Sequence, residues 1–255
     1  MIEVSDIYKT FSLKDKVTLK YKSIPAVHGV SFKVNPGEIY GLLGPNGAGK
    51  STTLRMIATL MQPERGSITV DGLSTLDQPD EVRARLGFLA TDMDIYERFT
   101  PREQLRIFGE FQGMSSDESQ SRGMDLLTQM GIQDFANVKM SSFSSGQRQK
   151  FNIARALLHD PKVIIFDEPT TGLDVLTAKT VLDLIKRLKE QGKTIILSTH
   201  ILPMVEQICS RIGIIYDGIL QAEGSPKDVM HTFSSASLDE VFFTLATSKD
   251  GKRSI

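Results

Sequence analysis

Residues 44–51 read Gly-Pro-Asn-Gly-Ala-Gly-Lys-Ser, and this stretch decides the fold. It lies between residues 39–43, whose apolar composition predicts a strand, and residues 50–60, which contain neither proline nor glycine and predict a helix. A glycine loop in this context is the phosphate-loop pattern, and a plain glycine-rich turn is the weaker alternative. The helix N-terminus favours anions. We therefore expect Lys50 to bridge terminal phosphates and the Ser51 hydroxyl to bind Mg²⁺.

The composition is that of an ordinary globular protein. The chain has 255 residues, 40% hydrophobic and 24% charged, which suits one large α/β domain or two small ones sharing a core. Its 30 basic and 31 acidic side chains nearly cancel, so we expect no nucleic-acid partner. The single cysteine, Cys209, has no partner for an intramolecular disulfide, and its apolar neighbours at helical spacing indicate a core thiol.

Strands alternate with helices in the second half of the chain. Apolar strands at 163–166, 194–198 and 212–216 are separated by helical patterns, which predicts a parallel sheet covered on both faces. The first 90 residues instead predict a mixed sheet around one helix, and residues 100–130 predict an inserted helical segment. The fold class is therefore α/β. The lysine-rich stretch 14–22 predicts a hairpin at a solvated sheet edge.

Two adjacent carboxylates, Asp167 and Glu168, follow the apolar strand 163–166. The strand delivers them to the carboxyl edge of the sheet, where α/β proteins bind ligands. Burying two unpaired carboxylates there is costly unless a cation or a positioned water uses them. We expect Asp167 to belong to the magnesium shell and Glu168 to polarise an attacking water. The alternative is a solvated strand end, which is less common after four consecutive apolar residues.

A second donor-rich helix start lies at Ser144, Ser145, Gly146 and Gln147. Its backbone N–H groups are able to hold a phosphate in the same way as the first loop. One nucleotide cannot easily use both helix starts, and on local grounds an ordinary N-cap is the simpler interpretation. The tetrapeptide by itself therefore leaves both interpretations open.

These motifs occur in the order found in ATP-binding cassette (ABC) ATPases, and the chain resembles that family over residues 2–225. The motifs that carry the resemblance are the phosphate loop, 143–147, 166–170, 172–174 and 198–200. Details at 58–60, 96–103 and 237–242 resemble the branch of export cassettes typified by the NatA subunit of bacterial sodium exporters. The resemblance implies a P-loop NTPase (RecA-like) core with an N-terminal antiparallel β subdomain and an inserted α-helical subdomain.

The resemblance assigns a role to each motif. Catalysis would use Glu168, His200 and Lys50, with His200 contacting the γ-phosphate and the attacking water. Asp174 would lie in the loop that links two sites. The metal would be bound by Ser51 and Asp167. The ATP of a partner subunit would be bound by Ser144, Ser145, Gly146 and Gln147. ATP in the same subunit would be bound by the phosphate-loop residues Gly44, Asn46, Gly47, Ala48, Gly49, Lys50, Ser51 and Thr52.

Three further positions follow from comparison with the family pattern. Adenine usually stacks on an aromatic residue near the N-terminus of such cassettes, which makes Phe11 the candidate and Tyr8 the alternative, although both also suit a core. Ser145 replaces a family glycine, which keeps the backbone N–H but disfavours a positive φ. Thr91 stands where the family commonly has a glutamine that links the nucleotide to the transmembrane partner.

The resemblance also implies the assembly. Its domains would be an ABC ATPase domain over residues 1–230, with a helical subdomain at about 92–145, and a short C-terminal helix and frayed tail over 231–255. Two cassettes, here a homodimer, would hold two ATP molecules with Mg²⁺. No stretch approaches the roughly 18 to 20 apolar residues of a membrane span, so we expect a peripheral subunit at the cytoplasmic face of the cell membrane, bound to a separate transmembrane permease.

The expected function is therefore the ATP-hydrolysing motor subunit of an ABC exporter. The branch resemblance suggests sodium as the cargo, and drugs, lipids or peptides are alternatives. A soluble non-transport ABC ATPase is the rival from another class. A nucleotide sensor without catalysis is disfavoured because Glu168 and His200 are both present.

Overall fold

The structure, a computed structural model, describes residues 1–14, 21–90 and 95–250. The strands are β1 (Ile2–Lys14), β2 (Tyr21–Val34), β3 (Ile39–Leu43), β4 (Arg65–Val70), β5 (Leu73–Ser74), β6 (Leu86–Leu89), β7 (Val163–Asp167), β8 (Thr194–Thr199), β9 (Arg211–Tyr216) and β10 (Ile219–Gly224). The helices are α1 (Lys50–Ile57), α2 (Pro79–Arg85), α3 (Pro101–Phe111), α4 (Ser116–Gln129), α5 (Ser145–Leu157), α6 (Val175–Glu190), α7 (Leu202–Ile208), α8 (Pro226–Thr232) and α9 (Leu238–Asp250).

The larger sheet has the strand order β10-β9-β3-β8-β7-β6 and contains the predicted parallel strands. All its neighbouring pairs are parallel except β10 with β9 at one edge. The strands β3, β7 and β8 are buried along their whole lengths, which explains their continuous apolar runs. Ile39 and Leu43 pack into one apolar core and Tyr40 and Leu42 into another, so both faces of this sheet are covered. The α/β class is confirmed.

Strand register brings the carboxyl ends of three neighbouring strands to one edge. Leu43 at the end of β3 lies opposite Thr199 at the end of β8. Asp167 at the end of β7 lies opposite Ser198. The phosphate loop begins directly after Leu43, so it lies beside the residues that follow β7 and β8. Motifs that are more than 100 residues apart in the sequence thereby meet at the same sheet edge.

The smaller sheet, with the order β2-β1-β4-β5, is antiparallel and shares an apolar core with α1. Val30, Phe32 and Val34 of β2 are buried while the residues between them are not, as a half-buried strand predicts. At the far end Lys14 pairs with Tyr21, so the strands flanking the predicted lysine-rich hairpin are adjacent. Residues 15–20 lie outside the described residues.

The inserted segment is helical. Described residues 101–142 hold α3, α4 and two short 3₁₀ turns, and none of them belongs to a strand. At the start of α3, Thr100 Oγ1 accepts a hydrogen bond from the Glu103 N–H over 3.3 Å, and the Thr100 N–H donates to Glu103 Oε2 over 2.8 Å. This is a capping box, and the sequence Thr100-Pro101-Arg102-Glu103 has the spacing that predicts one, with proline at the first helical position. Residues 91–94 lie outside the described residues, and the subdomain limits stay predictions.

Several short elements were not expected from the sequence. They are α2, β6, β10 and α8, each of four to seven residues. β6 is too short to show a period, and it contains Gly87, which favours no strand. α9 lies within residues 231–255, where we expected a short C-terminal helix and a frayed tail. Within the described ranges, every helix is too short or too polar to cross a bilayer.

Candidate active site

The phosphate loop is held in a conformation that only glycine fits well. Gly49, which caps α1, has φ 106°. A Cβ at this position would lie 2.3 Å from the backbone oxygen of Ala26 on β2. At Gly44 a Cβ would lie 2.2 Å from the Ile215 oxygen. Because Gly49 has no side chain to accept from the first-turn N–H groups of α1, those donors stay available to an anion.

The Lys50 side chain lies inside this loop. Its Nζ donates to the backbone oxygens of Gly44 over 2.7 Å and Pro45 over 3.1 Å, and only 5% of the side chain is exposed. Burial lowers the pKa of Lys50, and the carboxylates of Glu168 and Asp167 act in the opposite direction. The loop carbonyls thus position a buried cation beside the phosphate-binding amides.

Asp167 faces the base of the loop. Its Oδ1 accepts hydrogen bonds from Ser51 Oγ over 3.0 Å and from Ser198 Oγ over 2.5 Å. The carboxylate is buried at the end of β7. Hydroxyl and carboxylate oxygens are the ligands that Mg²⁺ prefers, so Ser51 and Asp167 suit the metal that the sequence predicts.

Glu168 points into the cleft instead. Its Oε2 accepts from Thr171 Oγ1 over 2.9 Å and lies 3.0 Å from His200 Nδ1. Its Oε1 lies 3.7 Å from Lys50 Nζ, and none of the described residues donates a hydrogen bond to it. The backbone has φ 51°, a strained conformation for a glutamate, and the Glu168 N–H donates to Ser198 Oγ over 3.0 Å. The two adjacent carboxylates therefore have different partners and can take different roles.

The loop, Glu168, Thr171 and His200 line one open cleft of about 380 Å³, which also includes Ala26. The structure thus brings together the predicted catalytic residues and most of the predicted phosphate-binding residues. Thr171 was not among the predicted site residues. Its place three residues after Glu168 was the only available signal, since residues so spaced can meet across a turn.

The second donor-rich helix start lies elsewhere. Ser144 Oγ accepts from the Gln147 N–H over 3.3 Å, and Gln147 Oε1 accepts from the Ser144 N–H over 2.9 Å. The ordinary N-cap interpretation is thus confirmed, and Ser145 takes a helical conformation, so its side chain causes no conflict. In the described part of this chain, residues 144–147 are not among those that line the phosphate-loop cleft.

Asp174 lies next to this helix start. A Cβ on Gly146 would be 3.9 Å from Asp174 Oδ2 and 3.5 Å from Thr177 Oγ1. Asp174 caps α6 by accepting from the N–H groups of Leu176 and Thr177 over 3.0 Å each. Its hydrogen bonds with Thr177 lower the pKa of Asp174. The predicted linking loop and the start of α5 are therefore neighbours within one chain.

The two aromatic candidates for adenine differ in their surroundings. Phe11 pairs with Ile24 on β2, two residues before the cleft residue Ala26, and is partly exposed. The Tyr8 ring packs edge-on against His28 and lies 4.9 Å below the Arg65 guanidinium. Phe11 thus stays the predicted adenine contact. Thr91 lies outside the described residues.

A family model described as an ABC transporter matches residues 27–171, more than half of the chain. The chain belongs to the ABC transporter family. The resemblance seen in its motifs is thereby confirmed, and this ABC cassette is an ATPase.

Individual relatives of this ABC cassette cover most of its length. It is 40% identical over 245 residues to the ABC transporter ATP-binding protein NatA of Bacillus subtilis (strain 168). That match covers 96% of this chain and 97% of the relative. It is 38% identical over 228 residues to the Nod factor export ATP-binding protein I of Paraburkholderia xenovorans (strain LB400), which covers 89% of this chain and 75% of that protein.

The fold matches a solved cassette dimer. The dimeric structure of the ATP-binding cassette MJ0796, in a post-hydrolysis state bound to ADP and Pi, has a TM-score of 0.80 and 30% identity. The match covers 88% of this chain and 98% of that one. The P-loop NTPase fold predicted from the motifs is therefore confirmed, and this chain is the ATP-binding cassette of a transporter.

Proposed function

We propose that this cassette is the motor subunit of an ABC exporter, in which two copies enclose two ATP molecules and drive a separate transmembrane permease. One observation carries the proposal. Lys50, Glu168 and His200 meet at one cleft, whereas the helix start at 144–147 lies away from that cleft within the same chain. A second copy facing the first supplies the missing half of each site.

Within each site, each residue of the cleft has a separate role in ATP hydrolysis. Glu168 takes a proton from the attacking water, whose oxygen forms a bond to the γ-phosphorus while the bond to the ADP oxygen breaks. Lys50 and the loop N–H groups compensate the phosphate charge, and His200 contacts the γ-phosphate. Ser51 and Asp167 are the residues that would hold Mg²⁺, which would supply further positive charge near the phosphates.

From the opposite subunit, Ser144, Ser145, Gly146 and Gln147 contact the γ-phosphate. The capping box leaves other N–H groups of the first turn of α5 free to face an anion, because it uses only those of Ser144 and Gln147. The dimeric form of a solved relative supports a paired assembly. Asp174 lies beside Gly146 and connects the two sites.

The permease contacts the helical segment at about 92–145, which places the cassette at the cytoplasmic face of the cell membrane. Sodium is the cargo suggested by the resemblance to the NatA branch. The similarity to a protein named for Nod factor export supports a cargo other than sodium as the second candidate. Vesicles that contain the cassette and its purified permease distinguish these cargoes by ATP-dependent sodium flux. A cassette that hydrolyses ATP normally and never copurifies with a membrane protein contradicts the transport role.

Replacing Glu168 tests the chemistry directly. We expect Glu168→Gln to lower ATP turnover roughly 10²- to 10⁴-fold while ATP binding is retained, because the amide cannot accept the water proton. Glu190→Gln, at an exposed position near the end of α6, is the matched control. Near-native turnover of Glu168→Gln in a phosphate-release assay would refute the assignment.

A further inference from the structure

The orientation of the Glu168 carboxylate depends on Oε2, because this is the oxygen that accepts hydrogen bonds. Thr171 Oγ1 lies 2.9 Å and His200 Nδ1 3.0 Å from it. With Oε2 fixed, Oε1 is directed toward Lys50 and the phosphate loop. A carboxylate that rotates freely presents neither oxygen reliably to a water in the cleft.

We propose that Thr171 is a positioning residue for ATP hydrolysis, because its hydroxyl fixes Oε2 of Glu168 and so sets the orientation of the carboxylate that accepts the water proton. The inference rests on the proposed function, in which Glu168 accepts the water proton. Thr171 does not itself exchange a proton with the reacting groups.

Thr171 is better suited to this task than His200. A threonine hydroxyl always has a proton to donate, whereas Nδ1 of a histidine donates only when the tautomer or the charge places a proton there. In the proposed function His200 also contacts the γ-phosphate, so its contact with Glu168 is shared with the nucleotide. When His200 turns to the nucleotide, the Thr171 hydroxyl still holds the carboxylate.

The backbone makes this contact pre-organised. The Thr171 N–H donates to the Glu168 carbonyl over 3.3 Å and closes a turn between the two residues. At the other end, the Glu168 N–H donates to Ser198 Oγ over 3.0 Å and to the Ser198 oxygen over 3.2 Å, which holds Glu168 at its positive φ. Both side chains therefore start from a fixed backbone, as a precise reactive geometry requires.

The test uses three variants of the full chain. Thr171→Val keeps the shape and removes the hydroxyl, Thr171→Ser keeps the hydroxyl, and Thr180→Val is the control. Thr180 Oγ1 donates only within α6, to the Leu176 oxygen over 3.0 Å. We expect Thr171→Val to lower kcat roughly 10- to 100-fold with little change in KM for ATP, since a small misplacement of a reactive group has effects of this size. Thr171→Ser should recover most of the loss, and Thr180→Val should match the wild type.

A second measurement separates positioning from other roles. Introduced into Glu168→Gln, Thr171→Val should give no further loss, because the residue acts through Glu168. An equal further loss there, or a raised KM for ATP, shows that Thr171 contacts the nucleotide and overturns the proposal. Native kcat for Thr171→Val, with Glu168→Gln strongly impaired, also overturns it and leaves the proposed function standing. Native turnover of Glu168→Gln instead refutes the proposed function.

Discussion

Arg148 Nη1 donates to Glu97 Oε1 over 2.9 Å, which joins the first turn of α5 to the segment that precedes α3. The same guanidinium donates through Nε to the Phe143 oxygen over 3.1 Å. One residue further on, Gln149 Nε2 donates to the Pro169 oxygen over 2.9 Å. The helix start at 144–147 is thus connected both to the helical segment and to the loop that follows Glu168.

The ion pair itself contributes little to stability. Glu97 is 58% and Arg148 31% exposed, so solvent screens the attraction, and Glu97→Gln should lower the free energy of unfolding by no more than about 1 kcal/mol. Arg148→Met should cost more, because the Phe143 carbonyl also loses its donor. Urea unfolding of both variants checks the order. If Glu97→Gln lowers the free energy of unfolding more than Arg148→Met does, the bond from Arg148 to the Phe143 carbonyl is not the more important contact.

Gly49 and Gly47 of the phosphate loop should differ sharply in how well they tolerate substitution by alanine. Gly49→Ala forces a Cβ to within 2.3 Å of the Ala26 oxygen, so the loop must shift, and we expect a loss of ATP affinity of at least tenfold. Gly47 has φ 81° but no described atom within 4 Å of an added Cβ. Gly47→Ala should therefore keep its ATP affinity and lower the free energy of unfolding in urea by about 1 to 3 kcal/mol, the cost of backbone strain at this φ. Fluorescent ATP-analogue titration measures the affinities, and equal losses would argue against the steric explanation.

Cys209 should make stability fall at alkaline pH. Burial raises the pKa of its thiol to about 12, above roughly 8.5 for an unfolded cysteine. Because the folded pKa is the higher one, the thiol's contribution to the free energy of unfolding is fully present below the unfolded pKa. It decreases as the pH rises from about 8.5 toward 12, by at most about 1.4 kcal/mol per pH unit. The unfolding free energy of wild type should fall more steeply over this window than that of Cys209→Ala. Parallel slopes would show that the thiol ionises equally in both states.

The split site predicts that ATPase activity depends on association. Val175 and Leu176 at the start of α6 are 84% and 78% exposed, next to Asp174 and near Gly146. If isolated subunits are mostly monomeric, activity should rise more steeply than linearly with protein concentration. Val175→Asp should shift the rise to higher concentration, because it places a charge on an apolar surface. Strict proportionality down to dilute monomer, checked by light scattering, excludes shared sites.

Short-range signals predicted most of the site. The phosphate loop lies where the strand–glycine–helix pattern puts it, and the apolar run 163–166 ends at Asp167 as expected. Local patterns also gave the caps at Thr100 and Ser144. The elements that escaped prediction, such as β6 and β10, are short edge strands, whose few residues carry too weak a period to identify them.

The sequence by itself determined the α/β class, the family and the chemical types of the site residues, because local residue spacing and composition are enough to specify them. Only the tertiary structure decided the partners of each carboxylate. Asp167 turns to Ser51 and Ser198, while Glu168 turns to Thr171 and the cleft. Side-chain direction at a strand end depends on strand register and on a positive φ, and both are set by contacts between residues distant in the chain.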